Sequence, residues 1–141
     1  MPFLPPVSAQ QFYKRMGDPT TESGRALLAE RSPLNLADKI VHLLLIGQGA
    51  NDPRVNVSES DQIVAAVQAK NIPVTYILFP DEGHGFARPA NSIAFNAVAE
   101  NFLAKCLGGR AEAIGGAITA SSAKVPHGAE YASELSIVLK P

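Results

Sequence analysis

The chain has 141 residues, 46% of them apolar and 18% charged, with a formal net charge of −1. That supplies the core of one ordinary domain and excludes wholesale disorder. Basic and acidic residues are mixed along the chain, so no basic stripe points to nucleic acid and no acidic tract to a solvating tail.

The opening residues, Met1-Pro-Phe-Leu-Pro-Pro, lack the basic and apolar regions of a signal peptide. Residues 1–20 read as an extended lead-in. Asp18-Pro19-Thr20-Thr21 marks a helix start, and Glu22 to Arg31 is rich in helix formers. Ser32-Pro33 ends that helix, because the residue before proline is pushed out of the helical region. The longest apolar run, Ile40 to Ile46, is broken by His42 and is too short to cross a membrane. No membrane partner is expected, and the compartment stays open. Leu43 to Gly47 suits a strand buried on both faces, as in a parallel sheet.

Ser58-Glu-Ser-Asp61 opens the next helix, with either serine as its cap. Ile63, Val64, Ala66 and Val67 follow at helical spacing, and Lys70-Asn71 closes the element before Pro73. Val74 to Phe79 is a β-branched and aromatic strand. Two strands with a helix between them predict a βαβ unit with a right-handed crossover. Pro89-Ala-Asn-Ser then starts a last helix. Its expected apolar face is Ile93, Phe95, Val98, Ala99, Phe102 and Leu103, and Gly108-Gly109 is its stop. Cys106, the single cysteine, rules out an intrachain disulfide and reads as a buried structural thiol. From Arg110 onward the text is Ala/Gly/Ser-rich with little periodicity. Residues 110–141 read as a flexible tail, with Ser136 to Leu139 apolar enough for a short strand.

Two loops carry the chemistry. Gly49-Ala-Asn-Asp52-Pro-Arg-Val55 follows the first strand, and Phe79-Pro-Asp-Glu-Gly-His84-Gly-Phe86 follows the second. A βαβ unit brings both strand C-termini to one side of the sheet, where α/β proteins place their sites. Asp52 and His84 therefore become neighbours, in the chain order in which an α/β-hydrolase presents the acid and base of a Ser–His–Asp triad. Glycines flanking His84 let the loop turn tightly. The carboxylate of such a pair accepts from Nδ1–H, orients the ring and stabilises the imidazolium. Asp52 also suits an Asx-turn. Asp81 and Glu82 read as solvated loop charges, Arg54 as a residue that pins its loop by a salt bridge, and His42 and His127 as exposed. The three histidines show no metal-ligand spacing, so neither metal nor cofactor is expected. No G-x-S-x-G occurs in the chain.

At these residues the chain resembles the C-terminal catalytic region of the prolyl oligopeptidase family of serine peptidases, in its acylaminoacyl-peptidase and dipeptidyl-peptidase-like branch. The text that carries the resemblance is Ser32-Pro-Leu-Asn-Leu-Ala-Asp-Lys-Ile40, then Leu44 through Val55, Ser60-Asp-Gln-Ile63 and Pro73-Val-Thr-Tyr76. It continues in Phe79-Pro-Asp-Glu-Gly-His-Gly-Phe-Ala-Arg88 and on through the last helix to Gly109. The resemblance implies an α/β-hydrolase fold whose last two strands are present, with Asp52 and His84 as triad acid and base. Residues 21–109 would be the C-terminal βαβα portion of the catalytic domain, an α/β piece with two parallel strands. The family's nucleophile elbow, oxyanion hole and β-propeller are not encoded here.

Two parallel strands cannot cover their own edges, so completion by self-association or by another polypeptide is expected. Three functional readings follow. The chain is a C-terminal fragment of a serine hydrolase that lacks its nucleophile and is inactive or dependent on a complementing upstream fragment. When complemented, that fragment would act on a peptide or acyl-ester substrate. Alternatively the chain is a small self-contained esterase with a recruited serine (Ser58, Ser60, Ser121 or Ser122). Or it is a non-catalytic interaction module.

Overall fold

The computed structural model describes residues 6–131 and residue 135. The chain divides between Ile40 and Val41 into two units. The first holds helix α1 (Pro6–Met16), helix α2 (Glu22–Arg31) and a single 3-10 turn at Ala37–Lys39. The lead-in expected to be extended is thus largely helical. Its prolines precede or open α1, and Pro6 at the first helical position costs no hydrogen bond. Thr21 caps α2 by accepting from the Gly24 N–H at 3.0 Å, and the non-helical Ser32 ends it.

The second unit is built on a sheet of order β1 (Leu44–Gly49), β2 (Val74–Phe79) and β3 (Lys124–His127). Strands β1 and β2 run parallel in the register Leu44↔Val74 through Gly49↔Phe79. Helix α3 (Val57–Gln68) connects them, as the hydrophobic spacing requires. Its cap is Asn56 rather than either serine. The Asn56 carboxamide accepts from the Ser58 N–H at 3.1 Å, and Glu59 reaches back to the Asn56 N–H at 3.4 Å, a reciprocal capping box.

Side chains of β2 alternate between the faces of the sheet. Ile77 and Phe79 join Ala94 and Val98 of helix α4 (Pro89–Leu107), together with Ile114, Ile118 and Leu135, in the main core. The opposite face meets α3, which buries Val64 and Val67. Helix α4 starts and stops where its proline and glycines predict, with Gly108 at φ +74° as its C-cap. Its buried stripe is Asn91, Ala94, Val98 and Asn101, so Ile93 (60% exposed) and Leu103 (52% exposed) face outward, contrary to expectation. This helix is apolar nearly all round, and composition alone does not choose its inner face. Cys106, expected to be buried, lies exposed in the last turn.

The segment read as a flexible tail contributes an ordered third strand instead. It is anchored by Ile114 and Ile118, one helical turn apart and each 2% exposed. Strand β3 pairs antiparallel with β2 through Tyr76↔His127 and Leu78↔Lys124. Pro126 and the exposed Lys124 are ordinary residues for an edge strand. The sheet is therefore mixed, with two parallel strands plus this antiparallel edge. Among the described residues β1 has a neighbour only on the β2 side, and Leu44 to Gly47 are half-buried rather than buried on both faces. The expected strand at Ser136 to Leu139 lies outside the described residues.

Candidate active site

The parallel register places the ends of β1 and β2 side by side, and the two loops leave together. Three hydrogen bonds tie them at once. The Ala50 N–H donates to the Phe79 carbonyl at 3.0 Å and the Asn51 N–H to the Glu82 carbonyl at 2.9 Å. The Asn51 carboxamide reaches the Pro80 carbonyl at 2.8 Å. Gly49 makes this approach possible, because a Cβ there would overlap the carbonyls of Glu82 and Gly83.

Asp52 divides its two oxygens between two tasks. Oδ1 accepts from the backbone N–H groups of Arg54 at 2.7 Å and Val55 at 3.0 Å. Oδ2 lies 2.9 Å from His84 Nδ1. Both expected settings of Asp52, the Asx-turn and the imidazole partner, are thus realised at once. Burial pushes the Asp52 carboxyl upward, but the Val55 and Arg54 N–H groups and His84 outweigh it, and the net shift is below the ordinary value. An ionised carboxylate only accepts, so Nδ1 carries the proton and Nε2 of the neutral ring is left with its lone pair.

The Asp52 side chain is 8% exposed and that of His84 is 49% exposed. The acid is thus sheltered while the ring faces outward, and His84 has no hydrogen-bond partner other than Asp52 among the described residues. The ring borders a cavity of about 280 Å³, lined also by Gly47, Gln48, Val55 and Phe86.

Each loop has further supports that the sequence did not reveal. Gln48, 5% exposed at the end of β1, donates to the carbonyls of Gly49 and Val55, both at 3.0 Å, and accepts from the Ser60 hydroxyl at 2.7 Å. On the other loop, Gly85 takes φ +110°, a conformation that glycine adopts freely. Phe86 packs its ring 4.5 Å from that of Phe79 and 5.0 Å from that of Phe95.

Two expectations about charge are corrected here. Glu82 is 3% exposed and fully hydrogen-bonded rather than solvated. Asp81 stays partly solvated as expected, its side chain 37% exposed, while it pairs with Arg88 at 2.9 Å and accepts from the Ser122 hydroxyl. Arg54 holds its loop through its backbone N–H, and its side chain makes no ion pair among the described residues. A backbone donor two residues from an aspartate satisfies it more cheaply than a long, exposed guanidinium. His42 and His127 are exposed as expected, His127 with Gln68 Nε2 3.2 Å from its Nδ1.

None of the four candidate serines bonds to His84. Ser60 is committed to Gln48, Ser121 to the Ile118 carbonyl and Ser122 to Asp81 and Asn91, while Ser58 lies in the first turn of α3. Among the described residues no group of three or more His, Cys, Asp or Glu side chains could hold a metal ion. No helix there is long and apolar enough to cross a membrane.

A helix on each face of a sheet whose parallel strands bring the Asp52 and His84 loops together at their C-terminal ends is an α/β fold of the hydrolase type. Residues 8–110 match the Prolyl oligopeptidase family, and the chain belongs to that family of serine peptidases. It is 64% identical over 140 residues to dipeptidyl aminopeptidase BIII of Pseudoxanthomonas mexicana, a match covering 97% of this chain and 20% of that protein. It is 53% identical over 95 residues to dipeptidyl peptidase family member 6 of Caenorhabditis elegans, covering 67% of this chain and 13% of that protein. The chain thus spans a fifth or less of the length of these relatives. No solved structure matches it.

Proposed function

We propose that this chain is the acid–base arm of a serine peptidase site, with Asp52 as the acid and His84 as the general base. The serine nucleophile and the oxyanion hole come from an upstream part of the family's catalytic domain. The observation that carries this is the 2.9 Å contact between His84 Nδ1 and a sheltered Asp52, which leaves Nε2 without a partner among the described residues on an exposed ring. In the completed site Nε2 takes the proton of the serine hydroxyl as Oγ attacks the substrate carbonyl. Asp52 stabilises the imidazolium so formed, and the ring returns that proton to the departing amine. Water repeats the sequence to release the acyl group. The names of the two relatives favour a dipeptidyl peptide substrate for the whole enzyme.

The β1 edge, unpaired among the described residues, suits addition of a strand from the upstream part or from a second copy. Without a nucleophile the loss is large: in subtilisin, removing the serine alone costs about 2 × 10⁶ in kcat. The purified chain should therefore leave an aminoacyl p-nitroanilide intact and gain turnover when mixed with an upstream fragment carrying a G-x-S-x-G elbow. Hydrolysis of p-nitrophenyl acetate by the chain alone, lost in His84→Ala and accompanied by fluorophosphonate labelling of a serine, would instead establish a recruited serine.

A further inference from the structure

We propose that Glu82, Asn91 and Ser122 are positioning residues for His84, forming a clamp through which the segment after α4 holds the loop that presents the imidazole. The proposal rests on the reading of Asp52 and His84 as an acid–base pair.

Glu82 lies two residues before His84 and is almost wholly buried. Its Oε2 accepts from the Ala87 N–H at 3.0 Å. Its Oε1 accepts from the Arg88 N–H at 2.8 Å and from Asn91 Nδ2 at 2.8 Å. The carboxylate thus closes a ring of backbone around residues 82–88, with His84 at its outer side. Burial raises the Glu82 carboxyl, while Asn91 and the two N–H groups lower it by more, so it stays ionised and keeps all its lone pairs for these donors. An amide at this position would turn one donor of its own toward a donor of the loop.

Asn91, 1% exposed, joins this loop to the later segment. Its Nδ2 donates to Glu82 and also to Asp81 Oδ1 at 3.0 Å. Its Oδ1 accepts from the Ser122 N–H at 3.0 Å and lies 3.2 Å from the Ser122 hydroxyl. The chemistry fixes the orientation of the amide: two carboxylate oxygens on one side can only accept, and a backbone N–H on the other can only donate. Turning it over would place an oxygen against two carboxylates. Ser122 also donates its hydroxyl to Asp81, so one residue grips both Asn91 and the loop's other carboxylate. Ser122 lies beyond the matched family region, which ends at residue 110, and is carried into place by the buried Ile114 and Ile118.

A clamp that only stabilised the fold would leave the imidazole–carboxylate pairing intact once the protein was folded. A clamp that positions His84 controls which ring nitrogen holds the proton. The test is 15N NMR of the histidine-labelled full chain at a pH where the ring is neutral. It reads the ratio of Nδ1–H to Nε2–H tautomers for His84, with the amide spectrum as a check on folding. Asp52→Asn is the reference for a lost carboxylate partner.

Glu82→Gln and Asn91→Leu should each lower the ratio of Nδ1–H to Nε2–H by about fivefold, the scale of one weakened charge-assisted hydrogen bond. Ser122→Ala, a half-exposed site that will fold, should lower it by about twofold. A ratio unchanged in folded Glu82→Gln and Ser122→Ala, but collapsed in Asp52→Asn, would overturn the clamp and leave the acid–base pair standing. A ratio unchanged in Asp52→Asn as well would overturn both.

Discussion

The two loops that meet at the site are held in opposite ways. Asp52 is fixed by its immediate surroundings: the N–H groups of Arg54 and Val55 bind one oxygen, and Gln48, four residues earlier, holds the Val55 carbonyl. His84 is fixed from afar, through Glu82 to Asn91 and on to Ser122, with Phe86 wedged between Phe79 and Phe95. The difference teaches where the site is fragile. Asp52 travels with a short peptide that folds around its own carboxylate, whereas His84 depends on segments that must first find their places.

The place where the two loops touch gives the sharpest way to break this arrangement. Gly49→Val would force a side chain into the carbonyls of Glu82 and Gly83, neither of which can move without dragging His84. It should cost about 3 kcal/mol in urea unfolding, as overpacking does, and a loss under about 1 kcal/mol would show that the loops are not in close contact.

Acid should separate the two loops next. Asp52 and Glu82 both lie below their ordinary values of 3.8 and 4.5 in the folded chain. Each therefore adds stability that is present in full above those values and disappears as the pH falls through the lower folded ones. Thermal midpoints should hold steady from neutral pH down to about 5 and then fall. Asp52→Asn and Glu82→Gln should each flatten that fall, and equal acid sensitivity in both variants and the parent would contradict the assignment.

The smallest effect tests locality. Asn56→Ala removes the cap of α3 just after the Asp52 loop and should cost about 1 kcal/mol. It should leave the His84 tautomer ratio untouched. A change in that ratio would mean that the Asp52 loop borrows its shape from the helix rather than from its own turn.

The same contrast explains what the sequence revealed. Strand ends, the βαβ order and the pairing of Asp52 with His84 follow from short apolar runs and from residues within a few positions of each other. The limits of α4 also follow from its proline and glycines. Strand β3 was hidden because its anchors, Ile114 and Ile118, are two apolar residues in Ala/Gly/Ser-rich text, and its pairing to β2 is set by tertiary contact. Glu82 passed for a loop charge because nothing local announces that Asn91 and the backbone of Ala87 and Arg88 will surround it. The inner face of α4 is hard to read from sequence for a related reason. Two of its four buried positions are asparagines, recruited to satisfy Glu82 and the carbonyl of Glu112 rather than to fill space.

The most direct test of the account is a transplant. This chain would replace the matched 20% of dipeptidyl aminopeptidase BIII, with which it shares 64% identity, so that the rest of that enzyme supplies the nucleophile. The account predicts that the chimaera hydrolyses a dipeptidyl p-nitroanilide. It also predicts that His84→Ala lowers kcat by about 10⁶ and Asp52→Asn by about 10⁴, as in other serine peptidases. A folded chimaera whose turnover survives His84→Ala would contradict it, because the proton of the attacking serine would then be going somewhere other than this ring.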